Sequence, residues 1–335
     1  MTSTSTLNTI RCTHKNSINN STKICSPTTT NRGLTRTTTV SAFQRKLDFF
    51  QTKCTATRKQ RIITATSDLQ FNDIKLGKHL GSGGFGTVHE CLIKGKKYAL
   101  KRFHISTRNE RAAQESFLSE RLATQLIHRN IVRSLYTFLQ NESRFILMEF
   151  LEARTLQSIV DDEPNEIIDP KRRIRFAKQI CAGLAYAHRK KIAHLDLKPL
   201  NILVCRNTDE CKIGDFGCCK NLITESMSPT TPTKTSLTGT YSYRAPELLR
   251  GEPATEKADI YSLGICLWQM VSRQRPYGNE NHQVIIFKVV AYNLRPVIPE
   301  HTEQLYSEIM VKCWDQCKEN RMHAKDILTF LNKHF

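Results

Sequence analysis

The residues from His194 to Asn201 lie between two apolar segments and carry side chains whose spacing suits phosphate chemistry. A polar stretch of this kind is typical of a loop on a rigid scaffold, where catalytic residues tend to lie. In a tight loop, the Asp196 carboxylate can accept a hydroxyl proton and the Lys198 ammonium can neutralise phosphate charge. The Asn201 amide oxygen can ligate Mg²⁺, which prefers a few oxygen ligands together with substrate phosphates. The spacing therefore predicts that the three side chains can converge on one point.

A glycine-rich segment lies much earlier in the chain. Glycines allow the backbone to approach phosphate where a side chain would block it. The residues expected to contact a nucleotide there are Gly81, Ser82, Gly83, Gly84, Phe85, Gly86 and Val88. Dinucleotide-binding folds carry a similar segment, but in those folds it leads from a strand into a helix. Here it continues as a strand and leads through a turn to a second strand that ends at Lys101, which argues against a dinucleotide-binding fold.

Two tripeptides follow the catalytic loop, Asp215-Phe216-Gly217 and Ala245-Pro246-Glu247. Each is common alone, but their order after the lysine strand and the loop is specific. With these motifs the chain resembles the protein kinases, whose catalytic loop reads His-Arg-Asp, four residues and Asn. Leu195 stands in the place of the usual arginine.

The resemblance implies an α+β, bilobal fold. A small antiparallel β-sheet lobe is expected over residues 71–149 and a mainly helical lobe over 150–335, with ATP between them. Residues 215–247 correspond to the activation segment, and residues 222–238 within it are rich in Ser and Thr and are expected to form a loop. Residues 1–70 are expected to form a disordered basic tail, because they are rich in Ser and Thr and poor in apolar residues.

The resemblance also implies roles for the polar residues. Asp196 orients the acceptor hydroxyl and takes its proton, and Lys198 stabilises the transferring phosphoryl group. Asn201 and Asp215 hold Mg²⁺. Lys101 contacts the α- and β-phosphates.

Other residues are expected to position these groups. A helix is predicted over residues 110–127, and within it Glu120 fits the glutamate that holds Lys101, with Glu115 as the alternative. The backbone from Glu149 to Leu151 is expected to meet adenine, beside Met148 as gatekeeper. Two structural roles are also implied: Asp259 anchors the catalytic-loop backbone, and Arg321 pairs with Glu247.

The type of kinase follows from further residues. Lys198, two residues after Asp196, and Thr240 before the Ala-Pro-Glu motif are typical of serine/threonine kinases. The segments around Leu195 and from Val289 to Pro296 resemble the Mos family. That family implies MAP kinase kinase as the substrate, a MAP kinase cascade and a role in oocyte meiotic maturation and arrest. A serine/threonine kinase of another subfamily stays an alternative. A pseudokinase scaffold is a further alternative, although it would normally have lost one of the phosphate- or metal-binding residues.

The composition bounds the partners and the location. The chain has 335 residues and a formal charge of +19, which suggests acidic partners. Nucleic acid is not expected, because the charge is spread out and no nucleic-acid motif accompanies it. Neither a membrane span nor a secretory signal is found, and a cytoplasmic, monomeric protein is expected. A mitochondrial transit peptide within the basic tail stays an alternative.

The twelve cysteines predict no disulfide framework, because they are scattered through a long chain without a signal peptide. Cys313, Cys317 and His323 fit no standard zinc spacing, so helix packing is expected there. Cys218 and Cys219 are expected to be small packing residues, with a reactive thiol near the nucleotide as the alternative.

Overall fold

The computed structural model describes residues 74–103, 110–140, 143–162, 164–227 and 241–335. The predicted tail, the predicted start of the kinase domain at residue 71, and Thr240 lie outside the described residues. The described residues all belong to one unit of the chain, Thr66–Phe335. Among them, no helix is both long enough and apolar enough to cross a lipid bilayer.

Five antiparallel strands form the sheet of the amino-terminal lobe, in the order β1-β2-β3-β5-β4. The strands are β1 Lys75–Gly83, β2 Gly86–Ile93, β3 Lys96–Phe103, β4 Ser134–Gln140 and β5 Ser143–Glu149. Helix α1, Glu110–Ala123, follows β3, and its Phe117 packs with Phe103 and Ile146 of the sheet. Lys94 and Gly95 form the β2–β3 turn with φ of 50° and 77°. A two-residue hairpin turn requires such positive φ angles, so the predicted turn is confirmed.

Helices make up most of the carboxy-terminal lobe. They are α2 Leu156–Asp161, α3 Pro170–Arg189, α4 Leu222–Met227, α5 Pro246–Leu249, α6 Glu256–Ser272, α7 His282–Ala291, α8 Gln304–Cys313 and α9 Ala324–His334. The strands are β6 Ala153–Thr155, β7 Ile192–Ala193, β8 Ile202–Cys205, β9 Cys211–Ile213 and β10 Lys220–Asn221. They form a three-stranded sheet, β6-β8-β9, and a two-stranded sheet, β7-β10. The predicted α+β, bilobal fold is therefore confirmed.

Helix α6 lies in the core of the carboxy-terminal lobe. All its residues from Ala258 to Val271 are buried, as expected of a helix that is enclosed by others. Helices α3 and α8 pack against it, and α9 packs against α3. Gly264 permits the close approach of α8, because a Cβ atom at this position would lie 2.9 Å from the Cβ of Cys313.

Two predicted boundaries are wrong. The helix predicted over residues 110–127 ends at Ala123. The next residue, Thr124, donates a hydrogen bond from its hydroxyl group to the carbonyl oxygen of Arg121. The loop predicted to begin at Leu222 begins instead as helix α4. The physical reason is a side-chain cap, because Asn221 Oδ1 accepts a hydrogen bond of 2.9 Å from the backbone N–H of Ile223.

Candidate active site

One lysine and two carboxylates meet where β3, α1 and the segment after β9 come together. The Lys101 ammonium pairs with Glu120 and donates a hydrogen bond of 2.8 Å to Asp215 Oδ1. Lys101 and Glu120 are buried. Glu115 pairs instead with Arg111 on the exposed side of α1. The structure therefore places Glu120, and not Glu115, beside Lys101.

The electrostatics of this cluster follow from its burial and its charges. Burial alone would lower the pKa of Lys101, but the Glu120 and Asp215 carboxylates outweigh it and raise that pKa. Burial and the negative charge of Asp215 raise the pKa of Glu120 to about 7, against the opposing effect of Lys101. Burial would raise the pKa of Asp215, but the Lys101 ammonium lowers it overall. The cluster therefore presents a permanent cation beside an ionised Asp215.

The catalytic loop brings Asp196, Lys198 and Asn201 to one point. Lys198 Nζ donates a hydrogen bond of 2.8 Å to Asp196 Oδ2. Asn201 Nδ2 donates to the backbone oxygen of Asp196 at 2.8 Å and to its Oδ2 at 3.1 Å. A short 3₁₀ turn, Pro199–Asn201, bends the chain so that these groups converge. A carboxylate held in this way can accept a proton from a bound hydroxyl group.

Asp259 of α6 holds the backbone of this loop from beneath. Its Oδ2 accepts from the N–H of His194 at 2.8 Å, and its Oδ1 accepts from the N–H of Leu195 at 2.7 Å. His188 Nε2 lies 2.8 Å from the same Oδ2. Leu195 has a left-handed backbone, with φ of 63°, and its side chain packs against the core of the lobe. The predicted anchoring role of Asp259 is confirmed.

The segment after β9 places Asp215 beside the catalytic loop. The N–H of Gly214 donates to the carbonyl oxygen of Asn201 at 2.8 Å, and His194 Nε2 lies 3.0 Å from the carbonyl oxygen of Gly214. Asp215 itself has φ of 56°. Its neighbour Gly217 packs tightly on α1, because a Cβ atom there would lie 2.5 Å from Ser116 Oγ. These contacts fix the Asp215 and Asn201 backbones close together.

The donor set of Asn201 and Asp215 fits a divalent cation. The Asn201 amide nitrogen donates to Asp196, which leaves the amide oxygen as its available donor atom. Asp215 Oδ1 pairs with Lys101, and its second oxygen can serve as another ligand. In the part of the chain that the structure describes, no group of three or more His, Cys, Asp or Glu side chains could hold a metal ion. If a divalent cation binds here, oxygen atoms of substrate phosphates and water would complete its coordination, as is usual for Mg²⁺.

The glycine-rich segment forms the end of β1, the β1–β2 turn and the start of β2. A Cβ atom at Gly86 would lie 2.4 Å from the carbonyl oxygen of Arg102, so β3 requires this glycine. Cβ atoms at Gly81, Gly83 and Gly84 would meet no protein atom within 4 Å, which leaves space for a ligand. The remaining predicted contact residues differ in their surroundings. Ser82 Oγ lies 2.8 Å from His79 Nε2, and Val88 is the β2 residue paired with Lys101 of β3. Phe85 packs against the cluster of Phe103, Phe117 and Ile146, here called the Phe103 cluster.

Strand β5 ends at Glu149, where the two lobes connect. The Glu149 carboxylate accepts from the N–H of Arg133 at 2.8 Å and from Lys212 Nζ at 2.8 Å and 2.9 Å. The Glu149 side chain is therefore engaged within the protein, and its backbone N–H donates to the carbonyl oxygen of Arg133 at 3.0 Å. Met148 packs against the Phe103 cluster in the small lobe.

Several further predictions can be compared with the structure. Arg321 and Glu247 form a buried bidentate pair with N–O distances of 2.7 Å and 2.8 Å, as predicted. Burial raises the pKa of the Cys218 thiol to about 12 and that of Cys219 well above its ordinary value. Both shifts oppose thiolate formation, so they favour packing over a reactive thiol.

Sequence reasoning missed two residues that support the site, His188 and Lys212. His188 lies 71 residues from its partner Asp259, and Lys212 lies 63 residues from Glu149. Each is an ordinary basic residue in its local sequence. No local sequence pattern indicates either residue, because each is recognised only from the partner that the fold places beside it.

Comparisons with known proteins agree with this geometry. The protein kinase domain matches residues 74–331. The serine/threonine-protein kinase mos of Patiria pectinifera is 42% identical over 266 residues, which cover 78% of this chain and 75% of that protein. The mos kinase of Xenopus laevis is 38% identical, with 80% of this chain and 78% of that protein covered. The proto-oncogene mos kinase of Sus scrofa is 37% identical, with 79% and 81% covered. The chain is therefore a serine/threonine protein kinase and belongs to the Mos family.

Proposed function

We propose that this chain transfers the γ-phosphoryl group of ATP, bound with Mg²⁺, to a serine or threonine of a MAP kinase kinase. The observation that carries the proposal is the convergence of Asp196, Lys198 and Asn201, together with the Gly214–Asn201 hydrogen bond that brings Asp215 to the same place. Phosphoryl transfer needs mainly positioning and charge neutralisation, and these residues supply both.

The acceptor side of the reaction is assigned to the catalytic loop. Asp196 orients the acceptor hydroxyl and takes its proton. In this structure Lys198 pairs with Asp196. During the reaction its ammonium also contacts the transferring phosphoryl group, where its positive charge stabilises the transition state. Asp259 keeps the loop backbone in place during the exchange.

The nucleotide side is assigned to the small lobe and to Asp215. Lys101, held by Glu120, contacts the α- and β-phosphates, and the backbone of 81–86 covers the phosphates. The backbone of Glu149 and Leu151 meets adenine. Asn201 and Asp215 would hold Mg²⁺, which would neutralise the negative charge that develops on the phosphates.

The substrate and the biological role are part of the proposal. They rest on the similarity to Mos kinases, which favours a MAP kinase kinase over other protein substrates and meiotic maturation and arrest of oocytes as the setting. A cytoplasmic monomer is proposed with them. A pseudokinase is disfavoured because Lys101, Asp196, Asn201 and Asp215 are all present, with Lys101 bonded to Asp215 and Asn201 bonded to Asp196.

The test is incubation of the purified full chain with ATP, Mg²⁺ and a kinase-dead MAP kinase kinase, followed by mapping of phosphorylated sites. The matched controls are Lys101→Arg and Asp215→Asn. Arginine keeps the charge, but its planar fork does not replace a compact ammonium. We expect phosphate on serine or threonine with the natural chain and none with either variant, with unfolding temperatures close to that of the natural chain.

Two outcomes would count against parts of the proposal. Normal turnover by either variant would overturn the assignment of the site. Labelling of a general protein substrate without labelling of the MAP kinase kinase would leave the kinase activity standing and remove the proposed substrate.

A further inference from the structure

A second concave site lies between helices α3 and α9, separate from the active site. It is a groove of about 640 Å³, within the size range of ligand pockets, about 300–1,000 Å³. Its walls are the last turns of α3, the first turn of α9, Glu256 at the start of α6, and His128 in the segment before β4. None of the described residues that line it belongs to the glycine-rich segment, the catalytic loop or the Asp215 segment.

The floor of the groove is apolar. Ala182 and Ala185 lie three residues apart on one side of α3, and Leu328 faces them from α9. The small alanine side chains leave depth between the two helices. The ring of Tyr186 continues the floor, and the His128 ring stacks on it with 5.1 Å between centroids. Such a floor can receive an apolar side chain.

The rim of the groove is positively charged. Arg189, Lys191 and Lys325 are exposed there, and in the described part of the chain none of the three forms an ion pair with a carboxylate. The Arg189 guanidinium lies over the Tyr186 ring, 5.3 Å from its centroid, which holds it at the edge of the floor. Glu256 is the carboxylate among the described lining residues, and its Oε1 lies 3.2 Å from His323 Nδ1.

The amino-terminal end of α9 adds to the positive field, whereas His128 does not. Helix α9 begins at Ala324, in the groove wall, and has no side-chain cap on its first N–H groups. The amino-terminal end of a helix carries a partial positive charge. Burial, Arg129 and Arg189 lower the pKa of His128. The His128 ring is therefore neutral near pH 7 and belongs to the floor rather than to the charged rim.

We propose that this groove binds an acidic peptide segment of a protein partner, which inserts an apolar side chain between α3 and α9. The cations of the rim match the acidic residues of such a segment, and the floor matches its apolar residue. Nucleic acid would satisfy the rim but not the floor. The first 70 residues of this chain are poor occupants, because Asp48 and Asp68 are their only acidic residues. The active site stays open while a partner is held in the groove.

Binding is measured by fluorescence anisotropy of labelled short peptides with the purified full chain. The probes are a peptide of glutamate and leucine, the same peptide with serine in place of leucine, and a peptide of lysine and leucine. We expect the glutamate–leucine peptide to bind at least about tenfold more tightly than the other two, because it alone matches both rim and floor. Equal binding of the serine peptide would overturn the role of the floor and with it the proposal.

The matched variants reverse two charges on the same two helices. Arg189→Glu with Lys325→Glu changes the rim, and Lys171→Glu with Lys333→Glu changes exposed lysines elsewhere on α3 and α9. Lys191 is left intact, because its φ is 59° and its carbonyl oxygen accepts from the N–H of Leu222. Unfolding temperatures of both double variants verify that the fold is kept.

We expect the rim variant to bind the glutamate–leucine peptide at least about tenfold more weakly and the control variant to stay within about twofold. Equal losses in the two variants would show general charge attraction and overturn the proposal. Unchanged binding by the rim variant would do the same. A short single-stranded oligonucleotide that displaces the peptide, and whose own binding is lost in the rim variant, would assign the groove to nucleic acid instead.

Discussion

Replacement of Asp259 by asparagine tests how the core of the large lobe holds the catalytic loop. The Asp259 side chain is fully buried, and its two oxygens contact the N–H of His194, the N–H of Leu195 and the ring of His188. Asparagine has the same shape but only one oxygen and no charge. Whichever way the amide is turned, its NH₂ group faces at least one backbone N–H that previously had an acceptor.

The expected loss can be worked from these contacts. A hydrogen bond to a buried charged group contributes about 1.5–3 kcal/mol, and a buried donor without an acceptor adds its own cost. We therefore expect Asp259→Asn to lower the free energy of unfolding by about 2–4 kcal/mol. The variant no longer holds the Leu195 backbone in its left-handed conformation. That conformation costs a residue other than glycine about 1–3 kcal/mol, so Leu195 is free to relax from it. Relaxation of Leu195 displaces Asp196, so kcat/KM should fall at least about tenfold, or about 1.4 kcal/mol of barrier.

Denaturant unfolding and steady-state phosphorylation of a protein substrate measure the two effects. Glu115→Gln is the control, because it also replaces a carboxylate by an amide but removes only the exposed ion pair with Arg111. Surface ion pairs contribute about 0–1 kcal/mol, so this control should change little. A loss below about 1 kcal/mol in Asp259→Asn, with kcat/KM unchanged, would refute the reasoning.

Three further predictions concern pH, the tail and the activation segment. The pKa of Glu120 is raised to about 7, so its ionised fraction falls as the pH decreases from 8 to 6. We expect kcat/KM to fall over this range, and Glu120→Gln to be less active and to lack this titration; an identical profile in the variant would exclude Glu120 as the titrating group. Deletion of residues 1–65 should leave activity near that of the full chain, and a loss beyond about tenfold would show that the tail supports the catalytic domain. Leu195 cannot pair with a phosphate as arginine does in many kinases, so treatment with a phosphatase, followed by its removal, should leave most of the initial rate; a rate near zero that recovers only on rephosphorylation would contradict this.

The contacts that the sequence could predict are those marked by ordered motifs. Lys101 with Glu120, Asp259 under the loop and Arg321 with Glu247 were each assigned by their place relative to a motif, and each forms the expected contact. The motifs carry this information because the chemistry constrains residue type and spacing together.

Other features depend on residues that only the fold brings together. Glu149 and Lys212 carry no motif, and nothing in the sequence relates one to the other. The groove between α3 and α9 is likewise absent from any local pattern, because Arg189 and Lys325 lie on different helices and meet only through the packing of the lobe. The end of α1 at Ala123 and the start of α4 were missed because single side-chain hydrogen bonds decide them.

The contacts of β9 have a consequence for the timing of the catalytic cycle. The small lobe is tied to this strand by Glu149 with Lys212 and by the backbone bonds of Val132 and Asn130 with Ile213, at 2.8 Å and 2.9 Å. Asp215 follows β9 after a single residue, Gly214. A rotation of the lobes that opens the cleft to release ADP would act on these contacts, because they join the small lobe to the strand that leads to Asp215. We expect nucleotide exchange and realignment of the metal-binding carboxylate to occur as one kinetic step, with a rate set at the junction of the lobes rather than at the reacting atoms.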